Sequence, residues 1–199
     1  MKLIKTFILI ASLLLLTGCG RNFVRPTDVA LVVGSSTRAN VIQLVGKPSD
    51  EDESKLLNGE MVQTVMYSYH IEPPLNVGMI VATRTLTYTF FNNVMIGNEF
   101  NSTFTADSTE FDASKVASIS KGKSTKADVI AAFGKPSGEI LYPMMKDKTG
   151  RGIVYAYTVT RAVPFARPTT RYLLTFTLDV KNIVSKISYL IDGKEQIKS

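Results

Sequence analysis

The strongest constraint on this chain is that it repeats itself. Gly34-Ser35-Ser36-Thr37-Arg38-Ala39-Asn40-Val41-Ile42-Gln43-Leu44-Val45-Gly46-Lys47-Pro48-Ser49 returns as Gly122-Lys123-Ser124-Thr125-Lys126-Ala127-Asp128-Val129-Ile130-Ala131-Ala132-Phe133-Gly134-Lys135-Pro136-Ser137, with ten of sixteen positions identical at a separation of 88 residues. The same offset carries Tyr67 onto Tyr155 and Tyr69 onto Tyr157, and after a small slip Thr89-Phe90 is answered by Thr175-Phe176. An ordered run of correspondences means a duplicated module. The first copy is read over residues 27–106 and the second over 107–199, with the seam near 105–110.

Each motif is a helix with its own punctuation. Thr37 and Thr125 can cap the first turn, and Asn40 or Asp128 three residues on places a polar or acidic group near the positive end of the helix dipole. Val41, Leu44 and Val45, and then Val129, Ala132 and Phe133, recur at spacings of three and four, so one face is apolar. Gly46 and Gly134 fit the left-handed residue that closes a helix, and Pro48 and Pro136 prevent its resumption. These glycines end a helix, whereas a phosphate-binding loop opens one. Shorter candidate helices precede each motif, at residues 27–33 and 112–119, although the first is rich in β-branched residues and could be extended.

Beyond each motif the apolar period changes to two. Strands are expected over residues 62–69, 85–90 and 95–100, and again over 153–160, 171–178 and 183–190. Asn92-Asn93, residues 179–182 and Asp192-Gly193 supply the turns. The expected fold class is therefore α+β, with two tandem ααβββ modules, each two short helices packed on a three-stranded antiparallel meander. One sheet face would be left to solvent or a partner.

The N-terminus speaks to location. Lys2 and Lys5 precede the uncharged run Phe7-Ile8-Leu9-Ile10-Ala11-Ser12-Leu13-Leu14-Leu15-Leu16, as in a secretory signal, and the run falls short of the ~20 residues of a membrane span. It ends in Leu16-Thr17-Gly18-Cys19, which resembles the lipobox of bacterial lipoproteins. The resemblance implies removal of residues 1–18, lipid on Cys19 and a lipidated tether over residues 19–26. With Gly20 in place of an aspartate, it also implies delivery to the outer membrane on its periplasmic side. Buried acyl chains contribute ~0.8 kcal/mol per methylene, so several chains hold permanently where one is reversible. Cys19 is the sole cysteine, and no internal disulfide can staple the fold. Losing Lys2 and Lys5 lowers the formal charge from +6 to +4. No basic block or aromatic-basic motif points to nucleic acid.

No cofactor, metal site or enzyme is expected. His70 is the only histidine, so a site with two histidine ligands cannot form, and no nucleophile is positioned beside it in the sequence. It reads as a solvated residue at the end of a strand. Asp50-Glu51-Asp52-Glu53 lacks the spaced ligands and central glycine of a calcium loop and reads as a solvated acidic loop. Two long connections stand out, at residues 71–83 and 161–170. In the second, Arg161, Phe165 and Arg167 combine the residue types enriched at interface hot spots, and are the candidate partner-binding residues. The alternative is that Phe165 is core and the arginines only solubilise.

A lipobox, two short helices of which the second reads Ser-Thr-x-x-x-Val-Ile-x-x-x-Gly-Lys-Pro, then a tyrosine-bearing strand and two more strands together resemble the SmpA/OmlA (BamE-like) outer-membrane lipoprotein family, here twice over. The tandem layout is similar to that of the β-lactamase inhibitor proteins. The resemblance implies a non-catalytic protein-binding or scaffold module in envelope or outer-membrane protein assembly and maintenance, with envelope protein partners and a membrane reached through Cys19. A periplasmic enzyme inhibitor is the alternative, and a hydrolase a third class. The matching residues Gly46, Pro48, Gly134 and Pro136 are structural, so no partner-binding residue transfers with them.

Overall fold

The computed structural model describes residues 22–73 and 78–197. The leader and Cys19 lie outside the described residues. In chain order the elements are α1 (Arg38–Val45), β1 (Asp50–Lys55), β2 (Met61–Ile71), β3 (Met79–Ile80), β4 (Ala82–Phe91), β5 (Val94–Ser102), a 3-10 turn (Ala113–Ser118), α2 (Lys126–Phe133), β6 (Gly138–Ile140), β7 (Arg151–Ala162), β8 (Thr169–Leu178), β9 (Val184–Ile191) and β10 (Lys194–Glu195). All the strands belong to one antiparallel sheet in the order β1-β2-β4-β5-β6-β7-β8-β9-β10, with β3 paired to β7 off this path.

This corrects the expected pair of ααβββ modules on three counts. Residues 27–33 form turns, not a helix. Leu31 and Val33 are buried while Val32 between them is exposed, so this irregular segment still anchors to the core. In the second copy Asp112 caps only the 3-10 turn, accepting from the Ser114 backbone N–H at 3.0 Å. The acidic stretch expected as a loop is strand β1, paired with β2 from Asp50↔Met66 to Lys55↔Met61. Its charges hid it from pattern reading, because an edge strand exposed along nearly its whole length needs no apolar alternation. Those same charges discourage another chain from pairing there. Lastly, the two copies share one sheet.

The duplicated motif does form the same helix twice. Thr37 and Thr125 accept from the backbone N–H of Asn40 and Asp128, whose side chains accept in return from the cap backbone, a reciprocal capping box. Gly46 and Gly134 close the helices at φ 98°, ψ −163° and φ 76°, ψ −157°. The positive φ agrees with the sequence reading, but ψ places both outside the left-handed helical well, in a region that essentially only glycine occupies. The carbonyls of these glycines accept from the hydroxyls of Tyr67 and Tyr155 at 2.8 and 2.9 Å. Each repeated tyrosine thus ties a helix end to the sheet.

Both helices lie on one sheet face. Val41 packs with Val65, Tyr67, Leu86, Tyr88 and Phe90, and Val129 with Ile153, Tyr155, Leu174, Phe176 and Leu178. The copies join where β6 meets β5 through Gly97↔Ile140. Gly138 opens β6 at the position 88 residues after Asp50, the first residue of β1. One copy keeps a charged free edge, and the other has a short, glycine-led strand that a neighbour can approach. Side chains extend the ladder here: Ser137 Oγ accepts from Ala156 N at 2.9 Å, Asn98 Oδ1 from Glu139 N at 2.8 Å and Asn101 Oδ1 from Thr158 N at 3.2 Å. The connection expected at residues 71–83 also crosses the seam. Its β3 pairs with β7 of the other copy, and Val81 N donates to Thr160 O at 2.8 Å.

Candidate partner-binding site

On the helix side of the second copy, past the end of α2, Tyr157 on β7, Tyr172 on β8 and Tyr189 on β9 surround a cleft of about 280 Å³ with Phe111. Alternation explains the placement: Tyr157 lies directly opposite Tyr172 in the β7–β8 register, and Leu174 faces Tyr189 across β8–β9. The rings of Tyr157 and Tyr172 are 6.3 Å apart, and those of Phe111 and Tyr189 6.0 Å apart. Ile80 and Val159 add apolar wall, and Glu110 and Arg161 place opposite charges in the lining. Burial raises the Tyr157 phenol above its ordinary value, the Glu110 carboxylate adds to the rise and the Arg161 guanidinium offsets part of it. Tyr189 is likewise raised, first by burial and then by Tyr172. Both phenols therefore stay neutral at physiological pH and can donate a hydrogen bond.

The first copy fills the equivalent place. Phe23 packs edge-on to Tyr67 at 6.4 Å, as Phe111 does to Tyr155 at 6.4 Å, so the correspondence reaches back to Asn22-Phe23 and Glu110-Phe111. Arg84, the counterpart of Tyr172, donates to Asn22 Oδ1 at 2.6 Å, pairs with Asp107 at 2.7 Å and lies 4.6 Å over the Phe104 ring. Phe104 in turn stacks on Tyr69, the counterpart of Tyr157. One frame therefore holds a plugged site in the first copy and an open, aromatic one in the second. Phe23 and Arg25 lie within the segment expected to be tether, yet both are bound to the fold: Arg25 donates to Pro136 O at 2.9 Å and Ser137 O at 3.1 Å.

The three residues singled out from the sequence do not form one patch. Arg161 lines the aromatic cleft. Phe165 is fully exposed at the tip of the β7–β8 hairpin, so it is not core. Arg167 faces a shallower hollow with Tyr69, His70 and Thr83, and pairs with Glu72 at 3.2 Å. His70 is exposed near the end of β2, with its Nε2 3.8 Å from Glu72. Sequence reasoning does not single out these tyrosines, because Tyr157 is one repeat position among several and Tyr172 and Tyr189 are strand residues like their neighbours. Only cross-strand register brings them together.

A second cleft of about 280 Å³ lies at the seam, where Arg25, Asp28, Lys126, Glu139 and Arg151 line it. Its charges are largely matched: Lys126 bonds Glu139 at 2.6 Å, Arg151 pairs with the same carboxylate, and Lys135 reaches Asp28 at 3.2 Å. It serves the junction. No family model, curated protein or solved structure matches this chain.

Proposed function

We propose that this chain is a non-catalytic outer-membrane lipoprotein, anchored through Cys19, that binds a protein partner in envelope assembly or maintenance, with the aromatic cleft of the second copy as its contact site. The anchor and compartment rest on Leu16-Thr17-Gly18-Cys19 and on the likeness to SmpA/OmlA lipoproteins. The observation that carries the binding reading is the contrast between copies, in which Arg84 and its partners occupy one site and Tyr172 leaves the other open. Tyrosine and arginine are the types that concentrate binding energy. The cleft volume falls just below the ~300–1,000 Å³ of small-molecule sites, a size that suits one or two inserted side chains.

The test is affinity copurification of the acylated protein from membranes, with Tyr172→Ala and Arg161→Ala compared to the parent. Tyr172 is half-buried, so truncation leaves the core intact. Loss of about 2 kcal/mol at a hot spot weakens binding roughly 30-fold, and the partner should be lost while the melting transition stays in place. Undiminished recovery with both folded variants contradicts the site.

A periplasmic enzyme inhibitor is the second reading, favoured by the sheet face opposite the helices. Thr85, Thr87, Thr158, Thr160, Thr175 and Thr177 leave that face half-exposed, with no helix among the described residues over it. On that reading, copurification returns an isolated enzyme, and substitutions in the aromatic cleft have no effect on it.

A further inference from the structure

We propose that the sheet end bearing the β7–β8 hairpin rests on the lipid surface to which the chain is anchored, with the Phe165 ring inserted among the headgroups and upper acyl chains. This rests on the reading of Cys19 given above. Phe165 sits in a four-residue turn in which Val163 N donates to Ala166 O at 3.3 Å and Ala166 N to Val163 O at 3.2 Å. Its φ is +62° and its side chain is fully exposed. A bulky residue is sterically disfavoured at positive φ, where glycine or asparagine would serve the turn. Exposed apolar surface is a second cost, and no contact among the described residues offsets either. An outlier of this kind points to an external use.

The surroundings fit a lipid surface. Met79 and Ile80, which β3 lays alongside Ala162 and Arg161, are exposed, as is Ile71 at the end of β2. Arg161 and Arg167 flank the hairpin, the latter paired with Glu72. An apolar tip with arginines behind it is a pattern suited to the membrane interface.

Tether length supplies the second argument. Arg84 holds Asn22 at 2.6 Å, and Cys19 lies three residues before Asn22, a reach of at most about 11 Å. Val81 N bonds Thr160 O, so Arg84 lies three residues to one side of that level and the hairpin tip four to five to the other. At about 3.3 Å per residue the tip stands roughly 25 Å beyond Arg84. By register Arg84 stands level with Tyr157 and Tyr172, so the β8–β9 turn lies about as far to its other side; the short tether keeps both ends of the sheet near the lipid, and the fully exposed aromatic ring selects the hairpin end.

The chain has no tryptophan, so Phe165→Trp creates a single fluorescent reporter. Val180→Trp is the control, because Val180 is 71 % exposed on the β8–β9 turn at the opposite end of the sheet. Each acylated full chain is reconstituted in vesicles of phosphatidylethanolamine and phosphatidylglycerol whose acyl chains carry bromine. Emission of the Phe165→Trp protein should shift to the blue and be largely quenched, while the Val180→Trp protein keeps the emission it has in unbrominated vesicles. An acylated, vesicle-bound Phe165→Trp protein that is quenched no more than the control overturns the proposal while leaving the anchor intact. Absence of acyl mass on Cys19 would overturn the anchor reading, and this inference with it.

Discussion

Replacing Gly138 by alanine tests whether the two copies are held as one sheet. A Cβ on Gly138 would lie 1.8 Å from the Asn98 carbonyl oxygen, 2.7 Å from its carbon and 2.9 Å from its Oδ1. The obstruction is mainly backbone, so no rotamer change relieves it and β6 must draw back from β5 by more than an ångström. Three hydrogen bonds span that gap: Phe100 N to Ser137 O at 2.8 Å, Leu141 N to Ile96 O at 2.7 Å and Glu139 N to Asn98 Oδ1 at 2.8 Å. At about 1 kcal/mol each they represent about 3 kcal/mol. Alanine restricts the unfolded chain more than glycine does and returns about 0.4–1 kcal/mol, leaving a net loss of about 2 kcal/mol. Urea denaturation of the purified protein, followed by far-ultraviolet circular dichroism, should show a lowered midpoint and a shallower slope as the copies unfold less cooperatively. Asp50→Ala changes the corresponding residue on the free edge and should cost under about 0.5 kcal/mol. A Gly138→Ala midpoint and slope equal to those of the parent would refute the seam as a structural joint.

Two further outcomes follow from the helix ends. Gly134→Val should destabilise by about 1 kcal/mol or more, and Gly134→Asn should also destabilise, since the observed ψ of −157° lies outside the left-handed well that asparagine tolerates; an asparagine variant with the parent's thermal midpoint would contradict this. Asp128 has its carboxyl held below its ordinary value, chiefly by the Thr125 backbone N–H and then by the Thr125 hydroxyl. A depressed folded value means that the stabilisation is present above the unfolded value near pH 4 and fades as pH falls through the folded one. Thermal midpoints measured against pH should therefore fall less steeply on acidification in Asp128→Asn than in the parent, and parallel curves would refute the assignment.

The sequence made the local grammar legible. Thr37, Thr125 and the closing glycines are specified by neighbours within four residues, and the strand cores by alternation, so both survive translation into structure. What the sequence concealed depends on distant partners. The Asp50–Lys55 strand has no apolar signature because its stabilisation is backbone pairing to β2. The second copy's freedom to fuse with the first rests on one missing side chain at Gly138. The cleft needs Tyr157, Tyr172 and Tyr189 from three strands. Phe23 and Phe111 lie outside the duplicated sixteen residues, and although they keep the offset of 88, it is their like packing against Tyr67 and Tyr155 that establishes their equivalence. Arg161 is legible by residue type alone and does line the cleft. Residue type also groups it with Phe165 and Arg167, of which the first is fully exposed at the hairpin tip and the second faces another hollow.

The proposed function turns on acylation of Cys19, which would set the compartment, the available partners and the distance to lipid. Metabolic labelling with palmitate, followed by immunoprecipitation of the parent and of Cys19→Ser, tests it directly. Label is expected in the parent at the mass of a chain cleaved before Cys19, and none in Cys19→Ser. Equal label in both proteins, or an unlabelled parent, would contradict it.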